Sequence, residues 1–146
     1  MSLANLLKIN KLQLHNPSKD DVQRLLAAAK RNLADAHIHE LSPENRFDAA
    51  YKCIMQSAMA ALSVNGYRTS TSQPGHHQTA IQTLPLTIGL EQSTVIVLDA
   101  LRKQRNVSDY EGDPVSDQVV IECIKQAGIL YQNISDWISK NRPDFV

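Results

Sequence analysis

The chain has 146 residues, with 15 Lys and Arg balanced by 15 Asp and Glu and an ordinary share of apolar side chains. That length suits one domain with a single buried core. The charge balance argues against broad, sequence-independent coating of nucleic acid, which draws on net positive charge, and leaves room only for a local basic site.

The opening MSLANLLKINKLQLH is broken by Lys8 and Lys11 and has no small-residue cleavage site, so it reads as an N-terminal extension rather than a signal peptide. It is expected to pack against the main body or to extend a dimer contact. No apolar run reaches membrane-spanning length. A cytoplasmic protein with no membrane partner is the expectation.

PSKDDVQRLLAAAKRNLADAH predicts the first long helix. Asn16 or Ser18 suits its N-cap, and Asp20 and Asp21 suit the positive end of its dipole. Val22, Leu25, Leu26, Ala29, Leu33 and Ala36 fall on one face. LSPENRFDAAYKCIMQSAMAALSVNGY predicts the second, with Ser42-Pro43 as its start and Asn65-Gly66 as its stop. Phe47, Tyr51, Ile54, Met55, Ala58, Ala61 and Leu62 form its apolar stripe.

RTSTSQPG, residues 68–75, has the composition of a loop. The long segment from His76 to Asn106 carries Pro85 and Gly89, which should kink it or split it into two pieces. Its STVIVL run is β-branched but has no second strand of matching quality, so helix is expected there too. VSDYEGDP reads as a loop, and a last helix is predicted from roughly Val115 to Lys140, ending before Pro143. Four helices with short or modest connections imply an all-α antiparallel up-and-down four-helix bundle with a kinked or split third helix. The bundle would occupy residues 16–146 as one domain, with residues 1–15 as the extension.

Cys53 and Cys123 lie far apart inside apolar helical patterns and read as buried thiols. His15, His37, His39, His76 and His77 show no zinc-ligand spacing, and helix-end solvation accounts for them. Neither a metal nor a cofactor is expected. Tyr51, Met55, Met59 and Trp137 read as packing residues, and Arg68 as a solvated helix exit.

RKQRNVSDYEG, from Arg102 to Gly112, is the segment with most chemistry. It has two readings. In one it is a charged helix end, where Arg102, Lys103 and Arg105 complement the dipole and Asp109 pairs with one of them. In the other it is a phosphate site. Arg102 and Arg105 lie a turn apart beside Leu98 and Leu101, so at least one guanidinium starts from the apolar side and must meet a partner or a ligand anion. Asn106, Asp109 and Tyr110 add an amide, a carboxylate and a phenol.

The LLAAAKRNLADA and FDAAYKCIMQSAMAALSVNGYR helices, the GHHQT opening after a polar loop and the LRKQRN...DY segment together resemble the HEPN family. These are small helical bundles encoded with minimal nucleotidyltransferases and in toxin–antitoxin loci. The resemblance covers nearly the whole chain. It implies a four-helix up-and-down fold, a homodimer whose motif segments face each other across a cleft, and a metal-independent ribonuclease activity in active members.

The family motif is an arginine, a polar residue, and then a histidine after four to six residues. By resemblance, Arg105 is the motif arginine and Asn106 its neighbour, while Tyr110 stands where the histidine would be. These three are the candidate catalytic residues, with Arg102, Lys103 and Asp109 as candidate phosphate-binding residues. Tyrosine for histidine is a chemical departure. A phenol of pKa about 10 is only about one part in a thousand ionised at pH 7 and loses roughly 4 kcal/mol as a base unless cations lower that pKa. Two expectations follow. The first is an RNA- or nucleotide-phosphate-binding protein, cleaving RNA without metal in its enzymatic form. The alternative is a non-catalytic module, either an antitoxin-like partner of a nucleotidyltransferase or a structural dimer.

Overall fold

A computed structural model describes all 146 residues, and the chain is predominantly α-helical. In chain order the elements are α1 (Leu3–Lys8), β1 (Leu12–Leu14), α2 (Lys19–Ala36), α3 (Pro43–Val64) and β2 (Tyr67–Thr69). These are followed by α4 (His76–Gln82), α5 (Leu84–Thr87), α6 (Gln92–Glu111), α7 (Asp117–Asn141) and a closing 3₁₀ turn, Pro143–Phe145. No helix is long and apolar enough to cross a membrane.

The helix boundaries follow from local chemistry. Ser18 Oγ accepts from Asp21 N at 3.1 Å, and Ser42 Oγ accepts from Asn45 N at the same distance. Ser116 Oγ caps α7 by accepting from Val119 N at 3.3 Å. Each hydroxyl satisfies a backbone donor that a helix start otherwise leaves without a partner. At the other end of α2, Arg46 Nε donates to the carbonyl of Ala36 at 2.8 Å, so a residue of α3 closes the preceding helix.

The core is organised around α3. Its stripe residues Phe47, Tyr51, Ile54, Met55, Ala58, Ala61 and Leu62 are buried, and so are Ala50, Cys53, Ser57, Ala60 and Val64 on its other sides. A helix buried on nearly every side must be enclosed by neighbours, and its alanines let them come close. Its principal neighbours, α2 and α7, pack along it, while α4 and α6 meet it around Asp48 and Tyr51. Asn32 Nδ2 donates to Gln56 Oε1 at 2.8 Å and ties α2 to α3. α6 is held more lightly, burying only Val95, Leu98 and Leu101. Cys53 and Cys123 are free buried thiols, and burial pushes the Cys53 thiol up to about 11 and Cys123 higher still. Neither is a nucleophile at neutral pH.

Several sequence expectations need correction. The N-terminal extension packs against the main body, one of the two roles expected of it, with Leu6 and Leu12 buried, but it also holds a strand that was not expected: β1 pairs antiparallel with β2 in the register Leu12↔Thr69, Gln13↔Arg68, Leu14↔Tyr67. Arg68 and Thr69, expected in a loop, therefore belong to a strand. The segment from His76 splits into three helices rather than two. Pro85, which lacks an N–H to continue the preceding helix, sits in the first turn of the four-residue α5. The expected loop at 107–114 is helical as far as Glu111, because α6 ends at Gly112, whose φ of +70° supplies the left-handed stop.

Candidate functional site

The extra turn of α6 decides where the site residues lie. On a continuous helix Arg102, Asn106 and Tyr110 recur at intervals of four along one strip, and Arg105 and Asp109 occupy the strip beside it. Arg102, Arg105, Asn106 and Tyr110 line one wall of a cavity of about 220 Å³. His76 and His77, at the start of α4, line the other. Lys103 points elsewhere: it is exposed and reaches back to Asp99 at 3.5 Å.

Both arginines begin on the buried side of α6, as their spacing beside Leu98 and Leu101 requires. Their side chains are 15% and 24% exposed. Arg102 Nε donates to Asp99 Oδ1 at 2.8 Å. Burial pushes the Asp99 carboxyl up, but the hydrogen bond and charge of Arg102, with Lys103 behind them, outweigh burial and hold it below its usual range.

Arg105 sits between two carboxylates, with Nε 2.8 Å from Asp109 Oδ2 and 3.6 Å from Asp48 Oδ1. The shorter contact is an ion pair without an aligned hydrogen bond, because the buried Nε finds no acceptor in line with its N–H. The guanidinium carbon also lies 5.3 Å from the centre of the Tyr51 ring, a cation–π contact across α3 and α6. Three cations thus face three carboxylates, and an incoming anion must compete with Asp48 and Asp109 for Arg105.

Tyr51 connects this cluster to the histidines. Its hydroxyl lies 3.1 Å from His77 Nδ1, and the two rings are 5.9 Å apart. Burial pushes the Tyr51 phenol up to about 12, against the opposing charges of Arg105 and Arg102, so it stays protonated at neutral pH. His77 is held below the ordinary imidazole value, first by burial and then by the charges of His76, Arg105 and Arg102. It is neutral at pH 7. The His76 ring stands edge-on to His77 at 4.6 Å.

Sequence reading placed His76 and His77 at a solvated helix end and Tyr51 in the core. Tyr51 is indeed buried, but its hydroxyl faces the cluster. The histidines are half-buried and share a cavity with Arg105. Tyr110, the expected proton carrier, is 84% exposed at the mouth. No spacing rule could have linked His77 to Arg105, since α5 and most of α6 intervene. The only signal was that two histidines followed a polar loop and an apolar helix began at once.

No protein-family profile matches the chain, and no curated protein matches it.

Proposed function

We propose that the cluster at the α4–α6 junction is an RNA-phosphate site and that the protein is a metal-independent endoribonuclease of HEPN-like type, built as an up-and-down four-helix bundle with a split third helix. The observation that carries this reading is the meeting of Arg102, Arg105, Asn106, His76 and His77 around one small cavity. It joins cations for a phosphate to a neutral imidazole for a proton, the two requirements of RNA cleavage without metal.

In this mechanism His77 takes the role expected of Tyr110. The Tyr51 hydroxyl lies 3.1 Å from His77 Nδ1; in the tautomer that carries its proton on Nδ1, His77 Nε2 has the lone pair and removes the proton from the ribose 2′-hydroxyl. The 2′-oxygen attacks phosphorus and the P–O5′ bond breaks. The leaving 5′-oxygen takes a proton from water at the open mouth of the cavity, and His77 returns its own proton to solvent. The products are a 2′,3′-cyclic phosphate and a 5′-hydroxyl. Arg105 and Arg102 stabilise the charge that gathers on the phosphorane, and the Asn106 amide orients a phosphate oxygen. No metal enters any step.

Two observations favour a second reading, the non-catalytic module. Arg105 is already held by Asp48 and Asp109, and Ile96, Val107 and Tyr110 leave an exposed apolar strip along α6. In that reading α6 serves a homodimer or a nucleotidyltransferase-type partner. Incubating purified protein with varied RNAs in EDTA separates the two. Cyclic-phosphate ends that disappear in Arg105→Ala support the ribonuclease. A folded protein that leaves every RNA intact supports the module.

A further inference from the structure

A second cavity, of about 490 Å³, lies where the β1–β2 pair meets α2 and the C-terminal half of α3. It is separate from the phosphate site: Tyr51 and Met59 are eight residues apart on α3, about 12 Å along the helix axis. Its size falls in the range of small-molecule pockets, about 300–1,000 Å³.

Two features of its lining define what it fits. The floor is apolar, formed by Leu25 of α2, Met59 and Leu62 of α3, and Tyr67 of β2. The rim carries His15, Arg24 and Arg68 against one carboxylate, Asp21, which is already paired with Arg24. Arg68 is steadied by donating from Nε to Gln13 Oε1 at 3.1 Å across the two strands, and it forms no ion pair within the chain.

We propose that this cavity is a binding site for a small amphipathic carboxylate, its apolar body on Leu25, Met59, Leu62 and Tyr67 and its anionic head toward Arg68. The excess of positive charge on the rim selects an anion over a cation, and the apolar floor selects a ligand with a hydrocarbon or aromatic body over a bare ion. Pairing β1 with β2 completes the pocket, since His15 follows β1 directly and Tyr67, Arg68 and Thr69 are β2 itself. The N-terminal segment therefore has a use beyond covering the core.

The test is a titration of ¹⁵N-labelled full-length protein with octanoate, octan-1-ol and octylammonium, followed by amide chemical shifts. The expected result is saturable octanoate binding that shifts the amides of Arg24, Leu25 and residues 62–69, with octan-1-ol weaker and octylammonium weakest. Arg68→Gln, at an exposed strand position, should weaken octanoate about three- to fivefold and leave octan-1-ol unchanged. Met59→Trp should fill the pocket and abolish both. Should that variant misfold, Arg68→Gln still decides the matter. Equal affinity for octanoate and octylammonium, shifts confined to other regions, or an Arg68→Gln variant that binds octanoate as well as wild type would each overturn the proposal.

Discussion

Replacing Tyr51 by Phe removes one oxygen and leaves the ring that Arg105 packs against at 5.3 Å. The loss is thus confined to the 3.1 Å contact with His77 Nδ1. A neutral hydrogen bond of this kind contributes about 1 kcal/mol net, and leaving the half-buried ring nitrogen without a partner adds to the cost. Unfolding entropy of about 2.1 cal/mol/K per residue gives roughly 0.3 kcal/mol/K for a chain this long, so about 1 kcal/mol lowers Tm by about 3 °C. Thermal unfolding by circular dichroism measures this, and the His77 ring proton followed against pH by NMR measures the second consequence. Without the phenol His77 Nδ1 loses its partner, and its titration should move. Cleavage should fall with little change in RNA affinity, because no cation has been removed. Tyr51→Leu should cost more than Tyr51→Phe, since it also abolishes the cation–π contact. An unchanged Tm together with an unchanged His77 titration in Tyr51→Phe would refute the link between α3 and the histidines.

Other consequences are as specific. Asp109→Asn removes a carboxylate competing for Arg105 and should tighten inorganic phosphate binding about fivefold, read from the His76 and His77 ring signals; weaker binding would mean that Asp109 positions the arginine. Stability should decline on acidification in two stages. Folded His77 binds a proton less readily than the unfolded chain, so its contribution is complete above pH 6.5 and declines below it. The Asp99 contribution is complete above pH 3.8 and is lost only as pH falls through its lower folded value, a stage that urea melts of Asp99→Asn should lack. Gly112→Ala meets no atom within 4 Å but must hold a φ of +70°, so it should lose about 1 kcal/mol from backbone strain alone, seen as a fall in Tm.

The parts of the fold that were legible in the sequence are those written in neighbouring residues. Ser18, Ser42-Pro43 and Asn65-Gly66 marked helix ends correctly because caps act within one turn. The α2 stripe emerged because period 3.6 is a local signal. What escaped depends on distance or on brevity. β1 and β2 are three residues each, too short for alternation to register, and their partners are more than fifty residues apart. The DYEG stretch looked like a loop because Asp, Tyr and Glu beside a glycine suit a turn. Yet Asp109 is spent on Arg105 one helical turn back, and only Gly112 leaves the helix. The candidate arginines were legible from their apolar flank. The imidazole proposed as their partner was not, since His77 is brought to Tyr51 and the arginine cavity only through the packing of α4 against α3 and α6.

The most direct test of the central claim is to compare RNA cleavage in EDTA by wild type, His77→Ala and Tyr110→Phe, each verified as folded by circular dichroism. A site that works through His77 should lose its cyclic-phosphate product by a factor of about 100 or more in His77→Ala and retain most of it in Tyr110→Phe. Cleavage that persists in His77→Ala and vanishes in Tyr110→Phe would contradict the account and return the proton to the exposed tyrosine.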